Sequence, residues 1–224
     1  MAILSHPLTQ CFCHGEEVWV NLLISRTKYT YLHIWCKDTK KIRTFVPCMK
    51  ICVFCSANQQ IDPEFFAMTE ELGKWVAKNG HSIVYGGVNQ GLMESLGKAT
   101  KEAGGRTIGI IPMIVEKSGR MSDYVDIEIP CDNLTDRKQL MMDQSDVFIA
   151  LPGGIGTIDE VFTVAASATI GYHDKLVILY NMKDYWNPLI AMLDELQSKG
   201  MIRGSWRDYI KTADSIEEIS RLIV

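Results

Sequence analysis

Pro152-Gly153-Gly154-Ile155-Gly156-Thr157-Ile158-Asp159-Glu160 decides the reading of this chain. It follows Val147–Leu151, an apolar run that reads as a buried parallel strand, and it opens a helix predicted from about Ile158 towards Ile170. A glycine turn between a strand and a helix is a ready anion site. The first N–H groups of the helix are unpaired, the dipole is positive there, and glycine lets an oxyanion reach the backbone. Gly153, Gly154, Gly156 and Thr157 are therefore candidate phosphate ligands, with the Glu160 carboxylate at the same mouth. Walker loops need Gly-Lys-Ser/Thr, and the dinucleotide fingerprint needs G-x-G-x-x-G; this stretch is neither.

Outward from that turn, the chain from Lys50 alternates strand and helix. Strands are predicted at Ile51–Cys55, His81–Tyr85, Thr107–Ile111, Val125–Ile129, Leu176–Tyr180 and Tyr209–Thr212, with helices of about 10–15 residues between most of them. Glu116–Asp123 reads as a polar loop. Repeated β-α-β predicts an α/β, Rossmann-like three-layer fold: a mostly parallel sheet with helices on both faces. Ligands in such sheets bind beyond the carboxyl ends of the strands. Four loops should then share one rim, at 55–60, 86–90, 112–120 and 152–157.

The 224 residues are 47% hydrophobic with a net charge of −4. That balance provides no basic field for nucleic acid or anionic lipid, and no apolar run is long enough to span a bilayer. Seven cysteines at irregular spacing read as reduced thiols in a cytoplasmic protein. Residues 1–48 differ in composition from 49–224, which we expect to be a single Rossmann-like domain that binds a nucleotide or other phosphorylated ligand. Three readings of the first 48 stay open: a small hairpin from Val18–Ile24 and Tyr29–Trp35, a zinc site from Cys11, Cys13, His14 and Cys36, and an upstream extension with Met49 as the natural start. The cysteine spacing fits no established zinc pattern.

Other residues on the rim could carry chemistry. Arg137 and Lys138 sit near a helix start, where cations oppose the macrodipole, so a bound anion or a carboxylate explains them better than local stability does. An ordinary surface pair is the plainer reading. Glu160 has a plain reading too: three residues after Thr157, it would close a capping box if Thr157 is the N-cap. Tyr85–Met93 is a second glycine turn carrying Gly86 and Gly87, and Ser56 offers a hydroxyl at the first rim loop. Cys52 and Cys55 form C-x-x-C on a strand, not at a helix start, which argues against redox use. His173 reads as a C-terminal cap for the helix before it. No metal cluster or Ser-His-Asp elbow is visible.

Together these residues resemble the LONELY GUY (LOG) family of cytokinin riboside 5′-monophosphate phosphoribohydrolases, over about Met49–Val224. Pro152–Glu160 matches the family's P-G-G-x-G-T-x-x-E in full. Leu134–Lys138 is similar to M-x-x-R-K with Leu for Met, and Tyr85–Met93 to Y-G-G-G-x-x-G-L-M with Val88 for the third Gly. The resemblance implies a homodimer at least, no cofactor, and hydrolysis of a nucleoside monophosphate to free base and ribose 5-phosphate. It implies Arg137 and Glu160 as the catalytic pair, Lys138 and 154–157 as substrate ligands, and Glu116 as a further substrate contact. Many relatives carry the label "lysine decarboxylase", but no lysine here lies in a recognisable pyridoxal-phosphate context.

The chain departs from the family after Glu160. Where the family usually reads T-W-x-Q-L-G-x-H-x-K-P, residues 166–176 keep Gly171, His173 and Lys175 and lose the Thr, Trp, Gln and Pro. Ala166 replaces a substrate-contacting Thr, which puts base preference in question. A carrier that holds a phosphorylated ligand without cleaving it is the alternative from another class.

Overall fold

The computed structural model describes the backbone at residues 9–13, 16–22, 32–36 and 42–45, and backbone and side chains from Cys48 to Ile223. The chain divides into two units between Cys48 and Met49. In the first, β1 (Thr9–Cys13), β2 (Glu16–Leu22), β3 (Leu32–Cys36) and β4 (Ile42–Phe45) form an antiparallel meander in that order. The predicted hairpin strands correspond to β2 and β3. The predicted turn at 25–28, His14 and the cysteine side chains that the zinc reading needs lie outside the described residues.

In the second unit, seven strands form one sheet in the order β11-β10-β9-β5-β6-β7-β8, and every neighbouring pair is parallel. They are β5 (Lys50–Phe54), β6 (Ser82–Tyr85), β7 (Arg106–Pro112), β8 (Ile127–Cys131), β9 (Val147–Ala150), β10 (Val177–Tyr180) and β11 (Ile210–Ala213). The central strands β5 and β9 are buried runs, as strands covered on both faces must be. Helices α1 (Pro63–Lys78), α2 (Gly91–Glu102), α4 (Leu134–Asp143), α5 (Ile155–Thr169), α6 (Asn187–Ser198) and α7 (Ile216–Leu222) connect or follow the strands, with a short α3 at Met113–Lys117. The fold is Rossmann-like α/β.

Strand order reverses between β5 and β9. From β5 the chain builds outward through β6, β7 and β8; from β9 it builds the other way through β10 and β11. The loops leaving β5 and β9 therefore diverge to opposite faces and open a crevice between them, the position at which such sheets take ligands.

Three local expectations shift. First, α5 begins at Ile155 with Gly154 as its N-cap, three residues earlier than the sequence suggests. Thr157 is thus inside the first turn and caps nothing, which removes the capping-box explanation of Glu160. Second, the loop at 116–123 begins as helix, since α3 runs to Lys117. Third, the edge strand β8 starts at Ile127, after a bend at Asp126, whose carboxylate accepts from the Thr107 backbone N–H and hydroxyl and whose N–H donates to Thr107 O.

Candidate active site

The crevice between the loops after β5 and β9 holds a cavity of about 240 Å³. Cys55, Ser56 and Ala57 line it from one side, Gly154, Gly156, Thr157 and Glu160 from the other, with Arg137 and Met93 between. The site is assembled from four sequence-distant segments, which the sheet order brings to one point.

The glycine loop is held by its carbonyls. Pro152 O accepts from the Ser56 N–H at 3.1 Å, Gly153 O from the Tyr185 hydroxyl at 2.8 Å, and Gly154 O from the Ile158 N–H at 3.0 Å. What remains is the set of N–H groups at the start of α5. Gly154, with no side chain, gives them no cap. Gly154, Ile155 and Gly156 are exposed, so these donors are open to an incoming anion. Gly153 is glycine for a steric reason: a Cβ there would collide with the Thr157 side chain.

Glu160 lies on the buried stripe of α5 with Thr157, Val161, Val164 and Ala165. Burial pushes its carboxyl up to about 7; the Arg137 guanidinium opposes that rise, Asp159 adds to it, and Lys138 opposes it. Arg137 Nη1 stands 3.9 Å from Glu160 Oε1, too long for a hydrogen bond and close enough for a charge pair. The guanidinium is aimed by its Nε, which donates to the Ile110 carbonyl at 3.2 Å. Its Nη2 is buried with no hydrogen-bond partner among the described residues. An unpaired buried guanidinium N–H is costly to leave unmet, and this one is packed against Gly86 behind the cavity that Arg137 lines.

The remaining expected site residues surround the cavity without lining it. Gly86 backs the guanidinium, since a Cβ there would collide with Arg137 Nη2 and lie 2.9 Å from Met93 Sδ. Gly87 is left-handed (φ +63°), packs on Ile111, and its carbonyl accepts from Ser122 N–H. Lys138 Nζ is shared between both Asp159 carboxylate oxygens and the Thr163 hydroxyl, tying α4 to α5. Glu116 is exposed on α3 and does not reach the cavity wall. Asp136 is explained locally: Asn133 caps α4, and Asp136 accepts from the Asp132 N–H in return.

Cys52 and Cys55 are buried free thiols whose pKa values burial pushes up, which disfavours thiolate chemistry. Among the described residues no cluster could hold a metal ion, and no helix is long and apolar enough to cross a membrane. His173 does not cap α5, whose C-cap is Ile170. Its Nδ1 accepts from the Lys175 N–H, while Lys175 Nζ donates to Met142 O at the end of α4.

The family profile described as "possible lysine decarboxylase" matches residues 93–223. A probable cytokinin riboside 5′-monophosphate phosphoribohydrolase of Oryza sativa subsp. japonica is 36% identical over 170 residues, 76% of this chain and 70% of that protein. The chain belongs to the LOG family. An Arabidopsis thaliana LOG enzyme, a cytokinin riboside 5′-monophosphate phosphoribohydrolase, is 34% identical over 170 residues, 76% of this chain and 79% of its own. Among solved structures, the molybdenum cofactor binding protein of Rippkaea orientalis superposes with a TM-score of 0.62 at 27% identity, covering 80% of this chain and 99% of that one. The molybdenum cofactor carrier protein of Chlamydomonas reinhardtii gives a TM-score of 0.60 at 25% identity, covering 79% and 96%. In this LOG-family chain, Gly171, His173 and Lys175 shape the turn from α5 to β10. Ala166 is exposed and stands off the cavity wall.

Sequence reasoning missed Met93 and Ala57 on the wall and Tyr185 behind the glycine loop. Met93 stands in the second glycine turn, three residues into α2, and could have been found from that placement.

Proposed function

We propose that this LOG-family protein hydrolyses the N-glycosidic bond of adenosine 5′-monophosphates, including N6-substituted ones, to give the free base and ribose 5-phosphate. The observation that carries the reading is a buried carboxylate and a partly unpaired buried guanidinium 3.9 Å apart, at the mouth of an uncapped glycine-helix anion site. The relatives' activity supports the same reaction class.

The reaction passes through an oxocarbenium-like transition state with positive charge at C1′. The open N–H groups of Gly154, Ile155 and Gly156 receive the 5′-phosphate. The ionised Glu160 stabilises the developing cation or orients the attacking water, and Arg137, through Nη1, holds Glu160 and adds positive charge at the cavity wall. Water adds its oxygen to C1′, the C1′–N bond breaks, and the base leaves with a proton. No step here calls on a metal or organic cofactor. The wall set by Met93, Cys55 and Ala57 is apolar enough to pack a sugar or base face.

We also propose a homodimer: Leu134 and Ile155 stand 67% and 88% exposed at the starts of α4 and α5, and Ile170 66% exposed at the end of α5. Light scattering at working concentration tests this, and a monomer mass would refute it.

A carrier function is the second reading, favoured by the likeness to two molybdenum cofactor proteins. Incubation with AMP separates the two. Release of adenine and ribose 5-phosphate supports the hydrolase; tight binding with the nucleotide recovered intact supports the carrier.

A further inference from the structure

Lys183 and Asp184 both adopt left-handed backbone, φ 52° and 61°, and neither is glycine. Such conformations cost energy in L-residues and persist where surrounding contacts over-determine them. Several contacts do so here. Lys183 Nζ bonds Asp62 and Glu64 at the start of α1. The Asn181 side-chain amide donates to Asn187 and Asp214, and its oxygen accepts from the Trp186 N–H. The product of this turn is the placement of two adjacent aromatic residues on the chain leading out of β10, against the loop leaving β9. Trp186 Nε1 donates to Ala150 O at 3.2 Å, and Tyr185 Oη donates to Gly153 O at 2.8 Å. The Tyr185 ring is further held edge-on by Phe65.

We propose that Tyr185 is a positioning residue for the anion site, an inference that rests on the phosphate reading given above. In a trans peptide the C=O and the following N–H point in opposite directions. Pinning Gly153 O to Tyr185, which lies off the cavity wall, turns the Gly154 N–H the other way and fixes its peptide plane. Glycine on both sides of that peptide leaves little else to hold it, since neither residue has a side chain to restrict rotation. The strained turn thus sets the orientation of a donor that an incoming phosphate would use.

The test is Tyr185→Phe in the full chain, which keeps the ring and its contacts with Phe65 and Trp186 and removes the hydroxyl. Dissociation constants are measured by calorimetry for AMP and for adenosine, with reference and variant both carrying Glu160→Gln so that AMP is not consumed, and with melting temperature as a check of folding. Losing one such hydrogen bond should weaken AMP binding roughly threefold to tenfold, with adenosine affinity and melting temperature close to the reference. A second variant, Lys183→Ala, removes the fastening of the turn to α1 and should shift AMP affinity in the same direction by less. Unchanged AMP affinity in Tyr185→Phe, against a reference that prefers AMP to adenosine, would overturn the proposal alone. Equal loss for AMP and adenosine would assign Tyr185 a general structural role and also overturn it. A reference that binds AMP no better than adenosine would overturn the phosphate reading and this proposal with it.

Discussion

Arg137 Nη1 lies 3.9 Å from Glu160 Oε1, and these two side chains are among the most buried charges on the cavity wall, 13% and 11% exposed. Neither partner is fully satisfied by the other. The guanidinium is anchored through Nε to Ile110 O and keeps a free Nη2; the carboxyl is raised to about 7 by burial. The pair is an open charge arrangement, unlike a closed structural bridge, and under the proposed function the substrate would complete it.

Arg137→Ala should lower kcat/KM for AMP by about 10²–10³-fold, the scale of losing one preorganised donor to a reacting centre. Arg137→Lys should recover little, because an ammonium cannot hold the Ile110 carbonyl and face the cavity together. Steady-state kinetics on both variants, with folding checked by circular dichroism, decide this; full turnover in Arg137→Ala would exclude the assignment.

Gly86→Ala should mimic an arginine defect without touching Arg137 itself. The added methyl would collide with Nη2 and crowd Met93 Sδ. The guanidinium is then pushed towards Glu160 or out of line. We expect kcat/KM to fall by more than tenfold while the melting temperature drops by a few degrees, a shift worth about 1 kcal/mol in a domain of this size. Unchanged kinetics would show that Arg137 has room the structure does not indicate.

The pH dependence follows from Glu160. Burial pushes its carboxyl up to about 7, so the ionised form that the proposed reaction needs at C1′ gains population as pH rises. The acidic limb of kcat/KM should bend near pH 7, well above an ordinary carboxylate. A limb that bends near 4.5 would mean that Glu160 is not the group whose ionisation is required.

Stability should move the opposite way. The folded-state pKa is raised, so between about 4.5 and 7 the native protein binds more protons than the unfolded chain, and stability falls as pH rises through that window. Glu160→Gln removes the penalty. It should melt higher than wild type at pH 8, with the difference shrinking towards pH 5, while losing about 10²–10⁴-fold in kcat. A lower melting temperature than wild type at pH 8 would contradict the burial argument.

The parts of this structure legible in the sequence are those with local causes. A glycine turn between an apolar strand and an apolar helix announces itself, and β-α alternation gives the sheet and hence the rim. The start of α5 was misplaced because Thr157 resembles an N-cap, whereas the helix is begun by Gly154, a residue with no capping side chain. Periodicity held an unused clue. Glu160 falls at helical spacing with Thr157, Val161 and Val164, which places its carboxylate on the buried face and accounts for its raised pKa. Other relationships are long-range and carry no sequence signature. Lys138 meets Asp159 21 positions on, Tyr185 meets Gly153 across 32, and Arg137 reaches back 27 to Ile110. These are set by the order of strands in the sheet, which β-α alternation alone leaves undetermined.

The most direct test of the central claim is incubation of the purified protein with AMP and with N6-isopentenyl-AMP at pH 8, following free base and ribose 5-phosphate by chromatography. We expect stoichiometric release of both products from at least one nucleotide, abolished in Glu160→Gln. Nucleotide that binds and is recovered intact would contradict the hydrolase and leave the carrier.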